Sequence, residues 1–514
     1  MKLIKARVQN YRSIKDTGEF EIEELKTIMV GPNEAGKTVL LKAIQQLNRP
    51  TGVKGFDVIR DYPRSLYNDI TTNKVKSEDI EVVRGHFKLD KEDKAEIPIE
   101  FHDCEYVLYR KLNNQGHHYL TNAPAKITYG DIKKDLQRLE SHLDKQFTDQ
   151  NPEATTAKKP SEILAGLTTT FYDSKTFTEE NSKDLIKFLD DNYALVDEDN
   201  SKEEERHTKI LDLLKKNNKH DEVLKIIEKR TPVFVLFNNY FKVKPSVHLE
   251  HLAERIEKNL LEDEYYDYGN LCLLKLLGFT ARELSEIGNT QSPDKNDADD
   301  LKEYRDTLDN RTYQLNAASI KLTNEIKSIW NPNPNRPEAE RLRISADGQY
   351  LKVVVEDELG VEIELDQRSE GFQWLVSFFV VFFAEAMDKH KNAILLLDEP
   401  GMSLHGLKQR DFRETISRLA ITNQTIYTTH SPFLVGPNEL DLVRVVELKD
   451  RNEGTKVHTT ISSSDPAGLL PLQEALGYDL AQSLFTQTKN LILEGLTDYW
   501  YIEATSALFR EDKV

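Results

Sequence analysis

Cysteine is nearly absent from this chain: Cys104 and Cys272 are the only two among 514 residues. They are far apart and lack metal-ligand spacing, which excludes a disulfide framework and a cysteine-built zinc site. Both read as buried small side chains in a reducing compartment. Long apolar runs are missing too. The longest, Trp374 to Ala386, falls short of the ~20 residues that span a bilayer and reads as a buried core helix. Met1 to Ile14 alternates charged and apolar residues like a strand and has no signal-type apolar core. A cytoplasmic protein with no membrane partner is therefore expected. An excess of positive charge is also lacking, since the formal net charge is −19. That excludes a protein coating nucleic acid over its whole surface and leaves room for a local basic groove. No internal repeat and no sustained a/d heptad pattern occurs, which excludes a very long coiled-coil arm.

What is present is a globular composition, 38% hydrophobic and 31% charged, long enough for roughly three domains. Its sharpest feature is Gly31-Pro32-Asn33-Glu34-Ala35-Gly36-Lys37-Thr38, directly after the apolar run Ile28-Met29-Val30. The pattern is G-x-x-x-x-G-K-[ST], the phosphate loop called Walker A. Its glycines let successive backbone N–H groups point into one concavity that holds phosphate oxygens. Lys37 can reach the β- and γ-phosphates, and the Thr38 hydroxyl can hold Mg²⁺. Val39 to Ile44 reads as a helix whose N-terminus adds a positive dipole end. Asn33, Gly36, Lys37 and Thr38 are the candidate nucleotide-binding residues of this stretch, with ATP and Mg²⁺ as cofactors.

The pattern along the chain changes twice. Residues 1–125 read as strands around one early helix. Residues 126–338 carry helical periodicity and dense charge, with helices expected over Asp131–Lys145, Ser201–Lys216, Val247–Leu260, Asn270–Leu277 and Asp299–Trp330. One β-like run, Pro232 to Phe237, interrupts them, and the Pro- and Asn-rich run from Asn331 to Pro337 stops the last. Strands resume over Arg341–Ala346 and Tyr350–Glu356, with Asp347-Gly348 suggesting a hairpin. The charge runs of the helical insert read as solvated faces, and the insert as a dimerisation or regulatory region.

Residues 339–485 hold the second half of the nucleotide machinery. Ala393 to Leu397 is a buried-strand run ending in Asp398-Glu399-Pro400. A Walker B strand puts Asp398 beside the phosphate loop and its Mg²⁺, and projects Glu399 towards the γ-phosphate, where a carboxylate activates water. Standing alone, the same run reads as a core strand capped by an acidic turn. Gln424 to Thr429 is a further short strand ending in His430, a position where a histidine is usually just a satisfied polar residue. Ser369-Glu370-Gly371, before the apolar helix, offers a hydroxyl and free N–H groups to an anion. No conventional glutamine loop stands out between residues 45 and 110.

Together, Gly31–Thr38, Ser369–Gln373, Asp398–His405 and Thr428–Pro432 resemble the ATPase part of the OLD (overcoming lysogenization defect) nucleases, to which the Gabija nuclease subunit is related. Asn10-Tyr11-Arg12-Ser13 is similar to the N-terminal motif of RecF/SMC/OLD ATPases. The resemblance covers residues 1 to about 110 and 340 to 500. It implies an α/β fold, an ABC-type ATPase head split by the helical insert. It further implies that Arg12 approaches the nucleotide, that His430 senses the γ-phosphate, and that Ser369 and Gly371 form a signature that meets ATP across a homodimer or higher homo-oligomer. Lys37, Glu399 and His430 are then the catalytic set, with Thr38 and Asp398 on the metal.

The resemblance extends to the C-terminus. Asp465-Pro466-Ala467-Gly468, Leu476-Gly477 and Asn490 to Asp498 are similar to the first strand and helix of a Toprim-like domain over residues 486–514, in which Glu494 binds metal. An ordinary strand and turn is the alternative. Two-metal hydrolysis needs several converging carboxylates, and the chain stops 20 residues (514 minus 494) after Glu494. The rest of the Toprim part is expected to be truncated or to reside in another chain. By resemblance the function is an ATP-hydrolysing module that regulates an OLD-like Toprim DNA nuclease in antiphage defence, with double-stranded DNA and a separate nuclease or effector subunit as partners. The alternatives are a RecF- or SMC-like DNA-repair ATPase that clamps DNA without cutting, and an ATP-dependent scaffold that holds a nuclease or toxin.

Overall fold

The computed structural model describes residues 1–51, 53–150, 158–177, 179–196, 201–238, 241–258, 264–289, 298–329, 341–356, 359–386, 393–436, 438–448, 450–459 and 493–511. The chain forms two compact units. The first comprises residues 1–24, 39–235 and 385–394, and the second residues 25–38, 236–384 and 395–514.

The first unit carries an antiparallel sheet in the order Ile14–Asp16, Lys2–Tyr11, Glu81–Lys88, Glu105–Lys111, Gly116–Thr121, with Phe20–Glu21 also paired to Lys2–Tyr11. Alternation drives it: Leu3, Ala6 and Val8 of the first strand are buried while Arg7 lies between them in contact with solvent. Helices follow. In Tyr129–Gln150, Ile132, Leu136, Leu139 and Leu143 recur at helical spacing and are buried in one apolar cluster with Leu164, Leu185, Leu189, Ile210 and Leu214. That stripe packs the charge-rich helices between Tyr129 and Leu214 against one another.

The second unit is built on a six-stranded sheet in the order Lys456–His458, Val443–Glu447, Lys26–Val30, Thr425–Thr429, Ile394–Leu397, Phe234–Phe237. The pairs Val443↔Ile28, Tyr427↔Ile28 and Leu397↔Tyr427 are parallel, and Lys456–His458 runs antiparallel to Val443–Glu447. All residues of Lys26–Val30, Thr425–Thr429, Ile394–Leu397 and Val443–Glu447 are buried, as expected for parallel strands covered on both faces. Parallel order puts the C-terminal ends of three strands at one edge, where ligands of such sheets bind.

Helix Glu370–Ala386 is the core element foreseen from its apolar run, with Trp374 to Glu385 buried. Phe378 sits at its centre, 1% exposed, against Phe237, Trp374 and Phe412 at ring separations of 5.3, 5.6 and 5.7 Å. Strands Arg341–Asp347 and Tyr350–Glu356 form the expected hairpin, and Gly348 takes the left-handed φ of +53° that its turn requires. The β-like run is strand Phe234–Phe237.

Expected helix boundaries are corrected: Asp131–Lys145 lies within Tyr129–Gln150, the helix from Ser201 continues to Lys229, and the one ending at Leu277 begins at Glu264. The helix expected over 247–260 begins at Leu249, because Ser246–His248 pairs with Tyr350–Lys352 as an edge strand. The run from Asn331 to Pro337, the segments at 465–468 and 476–477, and residues 490–492 lie outside the described residues. No helix of the described residues is long and apolar enough to cross a membrane.

Phe378→Ala should lower unfolding stability by about 3–5 kcal/mol, the usual cost of emptying a buried phenylalanine site. Urea denaturation followed by tryptophan fluorescence checks it, and a loss below 1 kcal/mol would place Phe378 outside the core.

Candidate functional site

Strand Lys26–Val30 runs directly into the phosphate loop, and helix Lys37–Gln45 follows. Gly31 is dictated by crowding rather than by φ: a Cβ there would lie 2.1 Å from the carbonyl oxygen of Val446 on the neighbouring strand. Gly36 has φ +98°, and Glu34 is held at φ +66° without being glycine. The loop is pinned from outside by buried Thr455, whose Oγ1 donates to the carbonyl of Ala35 at 2.9 Å.

Lys37 is 4% exposed, and its Nζ donates to the carbonyls of Gly31 (2.8 Å) and Pro32 (3.0 Å). The same Nζ lies 3.3 Å from Glu399 Oε1. Thr38 Oγ1 donates to Asp398 Oδ2 at 2.8 Å across 360 residues of sequence. Both groups are oxygen donors at the edge of the sheet, the chemistry that suits a hard divalent cation such as Mg²⁺.

Asp398 follows strand Ile394–Leu397, and its N–H donates to the carbonyl of Phe237 at 2.8 Å. Its second carboxylate oxygen is held by Thr428, whose Oγ1 donates to Oδ1 at 2.8 Å. The same Thr428 hydroxyl accepts the N–H of Glu399 at 2.9 Å. One side chain thus orients both acidic residues, while Glu399 adopts φ +48°, a left-handed conformation that costs a non-glycine residue about 1–3 kcal/mol. The Glu399 carboxylate lies between two basic groups, Lys37 and His430. His430 Nδ1 is 3.0 Å from Glu399 Oε2, out of line for a hydrogen bond. Behind this loop, Tyr427 is fully buried and donates to the carbonyl of Leu434 at 2.6 Å. Burial and the nearby Glu439 charge push its phenol well above the ordinary range.

Lys37, Thr38, Asp398, Glu399 and His430 are therefore brought together. Asn33 is exposed on the loop. Ser369 is exposed before helix Glu370–Ala386, and Gly371 packs on the loop after Glu399, where a Cβ would lie 2.6 Å from Leu404 Cδ2. Arg12 belongs to the first unit, at φ +51°, with its Nε donating to Asp61 Oδ1 at 2.8 Å. Glu494 is exposed just ahead of helix Leu496–Glu511. Among the described residues, no group of three His, Cys, Asp or Glu side chains is arranged to hold a metal ion.

The role of Thr428, first residue of the motif Thr428–Pro432, and that of Thr455 escaped the sequence reading. Thr428 has a signal in retrospect: the parallel register Leu397↔Tyr427 carries Asp398 level with Thr428. Thr455 has none, because its partner is a carbonyl 420 residues away in sequence.

Residues 1–435 match the family model of the AAA ATPase domain. An uncharacterized protein of Methanocaldococcus jannaschii is 27% identical over 171 residues, 32% of this chain and 43% of that protein, so the chain spans less than half the length of this relative. The SMC head domain from Thermotoga maritima superposes with a TM-score of 0.33 at 11% identity, over 89% of this chain and 98% of that one. An Smc head domain with an extended coiled coil, bound to the C-terminal domain of ScpA and derived from Pyrococcus furiosus, gives 0.35 at 13% identity, over 93% and 99%.

Thr428→Val should lower the rate of ATP hydrolysis about tenfold or more and raise the Mg²⁺ concentration for half-maximal rate, since it leaves a carboxylate oxygen and an N–H without their hydroxyl, worth about 1–3 kcal/mol each. Thr428→Ser should restore both. A magnesium titration of steady-state turnover decides it, and a serine variant as impaired as the valine variant would refute the hydroxyl's role.

Proposed function

The chain belongs to the AAA ATPase domain family, and on that premise we propose that it hydrolyses ATP at the cluster of Lys37, Thr38, Asp398, Glu399 and His430. The observation that carries this reading is the 2.8 Å hydrogen bond from Thr38 to Asp398, which joins the two halves of the nucleotide machinery. The loop N–H groups and Lys37 bind the phosphates, and the N-terminus of helix Lys37–Gln45 adds its dipole. Thr38 and Asp398 are the residues that would hold Mg²⁺, which when bound offsets charge on the β- and γ-phosphates. Glu399 takes a proton from the attacking water as its oxygen bonds to the γ-phosphorus and the bond to the ADP oxygen breaks. The proton ends on the Glu399 carboxylate. His430, beside that carboxylate, contacts the γ-phosphate. Asn33 completes the nucleotide contacts, and Ser369 and Gly371 reach the nucleotide of a second copy.

The modules we propose are a head lobe at 1–125, a dimerising or regulatory insert at 126–338, a second head lobe at 339–485 and a Toprim-like segment at 486–514. Nucleotide occupancy in this reading gates an OLD-like Toprim nuclease acting on double-stranded DNA, in antiphage defence. The resemblance of Glu494-Gly495-Leu496-Thr497-Asp498 to the first Toprim strand and helix supports it, with Glu494 contributing to the metal site of the assembled nuclease.

Lys37→Ala should weaken ATP binding at least tenfold in a fluorescent-nucleotide titration, while Glu399→Gln should bind ATP normally and lose about 10²–10⁴ in turnover, the span of a general base. Normal affinity in the first variant or unchanged turnover in the second removes the corresponding role.

The regulatory reading predicts that phage DNA is cleaved only when a Toprim polypeptide is supplied, and that cleavage changes with ATP. Cleavage indifferent to ATP would count against gating. Ser369→Arg should leave each protomer folded and abolish the ATP-dependent increase in mass by light scattering.

A further inference from the structure

We propose, resting on the ATPase reading above, that Gln409 is a positioning residue that latches the loop after Glu399 to the loop after His430. Gln409 lies in helix Gly406–Thr422 and is 7% exposed. Its Nε2 donates to the carbonyls of Gly401 (3.0 Å) and Leu404 (3.1 Å), in the loop that follows Glu399. Its Oε1 accepts from Ser431 Oγ at 2.5 Å, in the residue next to His430. A single buried amide therefore bonds to both loops that carry the groups flanking the γ-phosphate position.

Each loop needs such a fastening. The first contains two left-handed residues, Glu399 at φ +48° and Gly401 at φ +68°, and lies beyond the end of its strand, where no sheet ladder fixes its path. The second turns at Ser431, whose N–H returns to Thr429 Oγ1 at 3.0 Å. Gln409 fits chemically because it offers two donors to two carbonyls and one acceptor to a hydroxyl. A glutamate would put a carboxylate against two carbonyl oxygens. A leucine fills the same space and makes none of the bonds.

The latch also reaches the helix that begins at Glu370. Leu404, whose carbonyl Gln409 holds, is wedged between two glycines: a Cβ on Gly371 would lie 2.6 Å from Leu404 Cδ2, and a Cβ on Gly401 2.9 Å from Leu404 Cδ1. A shift at Gly371 must move Leu404, and with it the carbonyl bonded to Gln409. The amide thus links the start of helix Glu370–Ala386 to Glu399 and His430 within one protomer.

The test compares Gln409→Leu, Ser431→Ala and the wild type in steady-state ATP hydrolysis, alone and in a His430→Ala background. Gln409→Leu should lower kcat about 10- to 100-fold with KM for ATP changed less than about threefold, the scale expected when reacting groups are misplaced by about an ångström. Ser431→Ala, which removes the hydroxyl that donates to Gln409 and accepts the N–H of Phe433, should fall in the same direction by less. In the His430→Ala background Gln409→Leu should cause a smaller further loss than in the wild type, because one of the two groups it positions is already gone. Equal losses in both backgrounds, or a kcat unchanged by Gln409→Leu, would overturn the proposal.

Hydrogen–deuterium exchange reads the latch without turnover. Residues 401–405 and 433–435 should exchange faster together in Gln409→Leu while Thr425–Thr429 stays protected. Unchanged protection of both loops would overturn the latch. A wild type with no Lys37-dependent hydrolysis would instead overturn the ATPase reading, and the exchange experiment would still decide whether Gln409 latches the loops.

Discussion

Asp398 is the group on which the rest of the site depends, because a half-buried carboxylate at the end of an interior strand is costly unless its oxygens are hydrogen-bonded. Thr38 supplies a hydroxyl to one oxygen and Thr428 to the other, both at 2.8 Å. These two bonds tie the phosphate loop, the acidic strand end and the strand leading to His430 into one assembly. They form only because Lys26–Val30, Thr425–Thr429 and Ile394–Leu397 lie side by side in parallel register. A slip of one residue would turn Thr428 to the other face of the sheet and remove its bond to Asp398.

Backbone strain collects at the same edge. Glu34 and Glu399 both occupy the left-handed region without being glycine, at a cost of about 1–3 kcal/mol each. The surroundings over-determine them. Thr455 grips the phosphate loop at Ala35, and Val446 crowds Gly31 so closely that no side chain fits. Phe237 and Thr428 grip the chain at the N–H groups of Asp398 and Glu399. Glu399 is thereby aimed between Lys37 and His430.

Much of this was legible in order. Gly31 to Thr38 shows itself because a phosphate cradle needs glycines, a lysine and a hydroxyl at fixed spacing within one short loop. Asp398-Glu399, which alone reads as a core strand capped by an acidic turn, is legible once paired with Lys37 and Thr38. Helix Glu370–Ala386 and the hairpin at Gly348 follow from an apolar run and a turn residue. Thr428, Thr455 and Gln409 were not legible, since threonine in a strand and glutamine in a helix are ordinary residues there. Their significance lies in partners brought close by folding. The edge strand Ser246–His248 was misread as helix for a similar reason: its partner, Tyr350–Lys352, lies about a hundred residues away.

The amino-acid sequence by itself determined that this chain carries a phosphate loop and an acidic strand end, because those motifs are local and their chemistry is set by residue type and spacing. Tertiary structure alone decided that Thr38 meets Asp398, that Thr428 orients both acids and that Gln409 fastens two loops. Those contacts depend on which strands pair and in what register. That outcome follows from burying apolar faces over hundreds of residues, and no short stretch of sequence contains it.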